Sequence, residues 1–179
     1  MEILYRDRQI IVAVKPAGLD AEHDMPEALM AQTGVKQCYC VHRLDSGVGG
    51  VMVYALDGKS ASKLTGAFAG HDTVKEYLAV CAGRMDAPEG TLTDLLYHDT
   101  RTNKTFVTDR PRRGVKEAVL DYAEQAVRDD LSLLRIRLHT GRSHQIRVQL
   151  ASRKHPLAGD RRYGSQLKAE GIALWAAAL

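Results

Sequence analysis

The chain has 179 residues, of which 45% are hydrophobic and 26% charged, with a formal net charge of +3. That length and apolar content suit one globular domain able to bury its own core, and they exclude a disordered or low-complexity chain. No run approaches the roughly 18 apolar residues of a membrane span, and the opening MEILYRDRQI lacks the basic-then-apolar build of a secretion signal, so a cytoplasmic protein is expected.

In chain order, ILYRDRQIIVAVKPAG reads as two short strands around Arg6 to Arg8, stopped by Pro16 and Gly18. MPEALMAQTG is a short helix. CVHRLDSGVGG, residues 40 to 50, is a loop that places one carboxylate, Asp45, before a glycine-rich turn. GGVMVYAL is an apolar strand, and DGKSASKLTGAFAG a helix with Asp57 at its N-cap. TVKEYLAVCAG alternates Val74, Glu76, Leu78 and Val80 against Lys75, Tyr77 and Ala79, a strand pattern that puts Lys75 and Tyr77 on one face. TLTDLLYHD, KTFVTD, EAVLDYAEQAV and LSLLRIRLHT are further strands. SHQIRVQLASRKH alternates like a strand, yet Ser143 is a fair N-cap and Ile146 and Leu150 lie at i, i+4, which favours helix. Many antiparallel-looking strands with about three helices and no regular βαβ alternation predict an α+β fold. Without a repeat or a linker, one domain over residues 1–179 is expected.

Three cysteines, Cys38, Cys40 and Cys81, are too few for a disulfide framework, and Cys-x-Cys without a second pair is a poor zinc signal; reduced structural thiols are expected. The charge is unevenly spread. Arg135 to Arg162 carries eight basic residues against the single acid Asp160, and a second stretch runs Arg101, Lys104, Arg110, Arg112, Arg113, Lys116. Such clusters suit a phosphate backbone, although a charge run is also what a solvated face looks like. Asp45, Asp94, Asp121 and Asp160 offer no local carboxylate pair, and Ser46 does not match a nucleophile elbow. His139 and His144 lack helical metal-ligand spacing, and the glycine turn has neither the lysine nor the helix context of a phosphate-cradling loop. Neither metal nor cofactor is expected.

What remains is a lone aspartate in a glycine turn, a tyrosine on a strand and an arginine-rich segment. Together these resemble the RluA-type family of RNA pseudouridine synthases. His42-Arg43-Leu44-Asp45 is similar to that family's His-Arg-Leu-Asp motif, whose aspartate is catalytic. Lys75-Glu76-Tyr77-Leu78-Ala79 resembles its Lys-x-Tyr-x-Ala strand, whose tyrosine lies against the target base. Thr140-Gly141-Arg142-Ser143-His144-Gln145-Ile146-Arg147, continuing to Pro156, Gly159-Asp160 and Tyr163-Gly164, resembles its third signature. The three pieces occur in order across nearly the whole chain. Two departures stand out: Val48-Gly49-Gly50 replaces the usual Thr-Ser-Gly, so two hydroxyls are missing, and the chain stops at IALWAAAL where family members run on through a further strand and tail. The second departure implies a trimmed C-terminus or a different sheet edge. No separate N-terminal RNA-binding domain is expected ahead of Met1.

The resemblance implies a pseudouridine synthase fold, a mostly antiparallel sheet with flanking helices, acting on structured RNA, ribosomal or transfer, without a cofactor. No membrane and no obligatory protein partner are implied. Asp45, Tyr77 and Arg142 inherit the catalytic roles. Asp45 is the carboxylate, whether it attacks the sugar or assists elimination of its proton, and Arg142 is the cation that keeps it charged. Tyr77 offers a ring to a flipped-out base. His42, Arg43, Lys75, Gln145, Arg147, Arg161 and Arg162 are assigned to RNA binding, with His42, Gln145, Ile146 and Arg147 as pocket wall or scaffold. The turn glycines are expected to let the backbone approach RNA. Read one at a time, Tyr77 fits sheet packing, Arg142 a surface phosphate contact and Arg43 an ion pair with an unseen acid. The competing functional readings are a silent RNA-binding protein on the same fold and a small hydrolase using Asp45 with His42 or His144.

Overall fold

The computed structural model describes residues 1–70 and 73–179. Among the described residues the fold is α+β, with mostly antiparallel strands and three α-helices. The chain forms two compact units, Met1–Val74 with Trp175–Leu179, and Lys75–Leu174.

In the first unit β1 (Ile3–Arg6) and β2 (Ile10–Lys15) form the expected antiparallel pair. Asp7 makes the turn between them, accepting at Oδ1 from the backbone N–H groups of Gln9 and Ile10. Along β2, Ile11, Ala13 and Lys15 share the period of two and are all fully buried. Helix α1 (Asp24–Thr33) ends at Gly34, whose left-handed φ of 72° lets its N–H reach Met30 O. β3 (Tyr39–Cys40) and β2 both pair antiparallel with β4 (Gly49–Ala55). Helix α2 (Gly58–Ala69) starts as the sequence predicts, with the Asp57 carboxylate accepting from Ser60 N at 2.8 Å.

The second unit is an antiparallel sheet of β5 (Glu76–Ala82), β6 (Glu89–Asp99), β7 (Lys104–Thr108), β8 (Val115–Arg128) and β9 (Leu131–Leu138), in the spatial order β5-β9-β8-β6-β7. β5 and β9 alternate: Tyr77, Ala79, Cys81, Leu134 and Ile136 are buried, while Leu78, Arg135 and Arg137 are exposed. The ambiguous segment is helix α3 (Gln145–Ser152), whose Val148 packs with Leu96 and Ala118 under Tyr163. Ser143 is not its cap. His144 holds the N-cap position at a left-handed φ of 54° without capping through its side chain, and the Ser143 carbonyl accepts from Thr105 Oγ1. A 3-10 turn, Arg161–Tyr163, follows.

The last strand, β10 (Leu174–Ala178), was not anticipated. Its alanine-rich run carries no β-branched residue, and it is a strand because it pairs in parallel with β4 through Trp175↔Gly49 and Ala176↔Gly50. The pairing gives two of the turn glycines, Gly49 and Gly50, a different use from the one expected. Gly50 sits at φ 132°, where a Cβ would run into the backbone of Ala176, and a Cβ at Gly49 would meet the Trp175 ring. These glycines admit β10, and their close approach is to protein backbone and ring instead of RNA.

Candidate active site

Asp45 lies half-exposed on a turn that the first unit grips from several sides. Val41, Leu44 and Val48 are buried anchors along the loop. The Asp45 carbonyl accepts from Val48 N at 2.9 Å, which closes the turn. His42 is scaffold: its Nε2 accepts from Val53 N at 3.0 Å in β4, and its ring stacks on Phe68 of α2 at 4.2 Å. That acceptor role places the imidazole proton on Nδ1. Arg43 has the acid that sequence reading left unseen, pairing with Glu22 at 3.3 Å while both side chains stay largely exposed. Such a pair contributes about 0–1 kcal/mol, so the arginine is available to an RNA phosphate at small cost.

Sequence reading missed Lys15. Its buried ammonium donates to the carbonyls of Pro16 (3.1 Å), Leu19 (2.8 Å) and Ser46 (3.1 Å), and Gly18 N donates to the same Ser46 oxygen at 2.7 Å. All three ammonium protons are thereby used on the segment ahead of α1 and on the residue after Asp45. Burial pulls the Lys15 pKa below its ordinary value, while the carboxylates of Asp20, Asp45 and Asp24 oppose that shift. The lysine is thus both clamp and nearby positive charge for the Asp45 turn. The signal was present in the sequence, since a period of two from Ile11 through Ala13 puts residue 15 on the core face.

In the second unit, Tyr77 is 8% exposed on β5, opposite Ile136 of β9. Lys75, one residue before the strand, lies with Nζ 3.9 Å from where a Gly141 Cβ would stand, beside the loop that carries Arg142. Burial lowers its pKa. Gln145 shapes that loop: its Oε1 accepts from Arg142 N (3.0 Å) and Thr140 Oγ1 (2.9 Å), and its Nε2 donates to Val119 O. Arg142 is half-buried and donates from Nε to Glu117 O at 2.8 Å. Among the described residues of its own unit no carboxylate pairs with it, unlike Arg135, Arg147 and Arg153.

Two of the residues assigned to RNA are buried. Arg147 is 5% exposed, and its guanidinium grips Asp160 bidentately at 2.7 and 2.9 Å with Tyr163 over it. Gln145 is 3% exposed with its amide engaged as described. Both are held inside the protein by these contacts, which agrees with their reading as pocket wall or scaffold. The basic run is likewise shorter in space than in sequence, since Arg153 forks onto Asp94 and Arg135 onto Glu76. Arg161 and Arg162 remain exposed. A shallow depression lined by Glu76, Arg135, Arg137 and Asp121 has Arg135 paired with Glu76, and the Asp121 carboxylate meets His139 Nε2 at 2.6 Å. Burial pushes Cys38, Cys40 and Cys81 each up to about 11, as inert thiols require. No cluster of three His, Cys, Asp or Glu side chains among the described residues is placed to hold a metal ion.

The family model for RNA pseudouridylate synthase matches residues 9–152, which contain Asp45, Tyr77 and Arg142. The chain is 34% identical over 183 residues to ribosomal large subunit pseudouridine synthase D of Xylella fastidiosa, covering 94% of this chain and 53% of that protein. It is 30% identical over 184 residues to tRNA pseudouridine synthase C of Pasteurella multocida, covering 92% and 74%. It spans about half the length of most of the curated relatives it matches. Human RNA pseudouridylate synthase domain containing 1 shares the fold at a TM-score of 0.86 and 22% identity, over 98% of this chain and 76% of that one. With the ordered motifs, the model match and the shared fold in agreement, the chain belongs to the RluA-type RNA pseudouridylate synthase family.

Proposed function

We propose that this chain is the catalytic portion of an enzyme that isomerises specific uridines of ribosomal or transfer RNA to pseudouridine, with Asp45 as the catalytic carboxylate. The observation that carries the reading is the Asp45 turn, half-exposed yet held by Lys15, Gly18 and Val48, within the stretch matched by the family model. A carboxylate so held is positioned without being buried, which suits a group that must meet a ribose while ionised.

In the reaction the bond from ribose C1′ to uracil N1 breaks, the base turns, and C1′ bonds to C5. The C5 proton is lost and N1 gains one, so no oxidant, donor or hydrolysis is needed. Tyr77 presents its ring to the extruded base, and Arg142 supplies a guanidinium, seated on the Glu117 carbonyl, to the anionic groups of the reaction. The missing hydroxyls at 48 and 49 do not leave a damaged loop. Val48 is 2% exposed, and the place of a residue-49 side chain is taken by the Trp175 ring. That repacking supports a working site over a silent binder.

The test is nucleoside analysis of RNA treated with the unmodified protein and with Asp45→Asn. The amide keeps the shape but cannot act as an anion, so pseudouridine should form only with aspartate while RNA affinity and unfolding midpoint stay unchanged. Pseudouridine from the Asn variant, or none from the unmodified protein on RNA drawn from cells lacking it, would overturn the reading.

A further inference from the structure

The sequence separates two basic stretches that the second unit brings together. Arg162 Nη1 donates to Thr102 O (3.2 Å) and Asn103 O (2.7 Å), which seats the Arg161-Arg162 pair against the β6–β7 turn. Residues 101 to 116 add Arg101, Lys104, Arg110, Arg112, Arg113 and Lys116 against one acid, Asp109. The nearby Asp99 is occupied in capping the turn, accepting from Arg101 N and Thr102 Oγ1.

Charge alone would describe a solvated face, but aromatic rings are set among these cations. Tyr97 and Phe106 are cross-strand partners, so their side chains stand on the same face of the sheet. Phe106 is 43% exposed on β7, the edge strand of this unit. Lys104 Nζ lies 5.5 Å from the Phe106 ring centre, and the Arg112 guanidinium 4.4 Å from that of Tyr97. A large exposed ring on an edge strand is an aggregation hazard unless something uses it. The strand is also firmly backed: Thr105 N donates to Tyr163 OH, Thr105 Oγ1 to Ser143 O, and His98 Nδ1 meets the same hydroxyl at 3.0 Å.

We propose that this face is a docking platform for single-stranded RNA flanking the modified nucleotide, with Phe106 and Tyr97 receiving bases and Lys104, Arg110, Arg112, Arg113, Arg161 and Arg162 meeting phosphates. Rings interleaved with cations fit an unpaired strand, whose bases have free faces. A duplex offers only its backbone. The inference rests on RNA being the partner, as in the proposed function, but does not depend on catalysis.

The test uses oligocytidine, which contains no uridine and so separates binding from isomerisation, with affinity read by fluorescence anisotropy over a range of salt. Phe106→Ala should weaken binding by roughly fivefold to a hundredfold, the range for one stacked base, and Phe106→Trp should restore it. Replacing Arg110, Arg112 and Arg113 together by alanine should reduce the slope of log affinity against log salt by about two. Urea midpoints should stay at the unmodified value, since all these side chains are exposed. Equal affinity and slope in every variant would overturn the platform. An equal loss for Phe106→Ala on blunt duplex RNA would do the same, since stacked bases cannot use the ring.

Discussion

Arg147 tests whether the third motif contacts RNA or holds the protein together. Its guanidinium and the Asp160 carboxylate are 6% and 1% exposed, joined by charge-assisted bonds of 2.7 and 2.9 Å. Arg147→Met fills much of the same space but leaves Asp160 buried with both oxygens deprived of these donors. Removing one partner of a buried pair costs about 3–5 kcal/mol, mostly the penalty for the stranded charge. Against a total stability of roughly 5–15 kcal/mol, that is about a fifth of the fold or more. Replacing both partners, as Arg147→Met with Asp160→Leu, removes the stranded charge and should recover most of the loss, so the two changes are strongly non-additive. Urea unfolding followed by circular dichroism gives the four midpoints of the cycle. Arg147→Lys should fall between, because an ammonium cannot reproduce the fork. An Arg147→Met variant with an unchanged midpoint and weakened RNA affinity would refute the scaffold assignment and return this arginine to the RNA surface.

Gly50→Ala forces a Cβ into the Ala176 backbone at a φ of 132°, so the β4–β10 pairing should be lost at a cost on the order of 3 kcal/mol, combining overpacking and backbone strain; a full-strength thermal transition would contradict that. Lys15→Met should destabilise by about 1–3 kcal/mol, because Pro16 and Leu19 carbonyls lose their donor while Ser46 keeps Gly18 N. If the clamp positions Asp45, turnover should fall further than RNA affinity, and equal kcat would confine Lys15 to stability. Hydrogen bonds from Ser60 hold the Asp57 pKa below its ordinary 3.8. Its contribution is therefore present above about pH 4 and is lost as the pH falls through the depressed folded value. Asp57→Asn keeps the cap but should flatten that part of the acid-unfolding profile, and an unaltered profile would show the carboxylate charge to be immaterial there.

Local chemistry was legible from the chain itself. The period of two marked β5 and β9 as strands with Lys75 and Tyr77 on one face, and Asp57 marked a helix start, because these signals act between residues a few positions apart. The three motifs pointed to the family for a similar reason, since each is a contiguous run. What only tertiary structure decided involves partners far along the chain. β10 has no strand signature in its alanines and exists through Gly49 and Gly50, over a hundred residues earlier. Ser143 looked like a cap, but the helix starts one residue later, with His144 at the N-cap position in a left-handed conformation. Arg147, Arg153 and Arg162 look alike in sequence, yet a distant carboxylate takes the first two inward and backbone carbonyls of a turn take the third. A charge count sees the side chain and not its partner, and burial is a property of the partner. Lys15 shows the same limit in reverse: its face was set by alternation, but its use as a clamp depended on Ser46, which the fold brings to it across thirty-one positions.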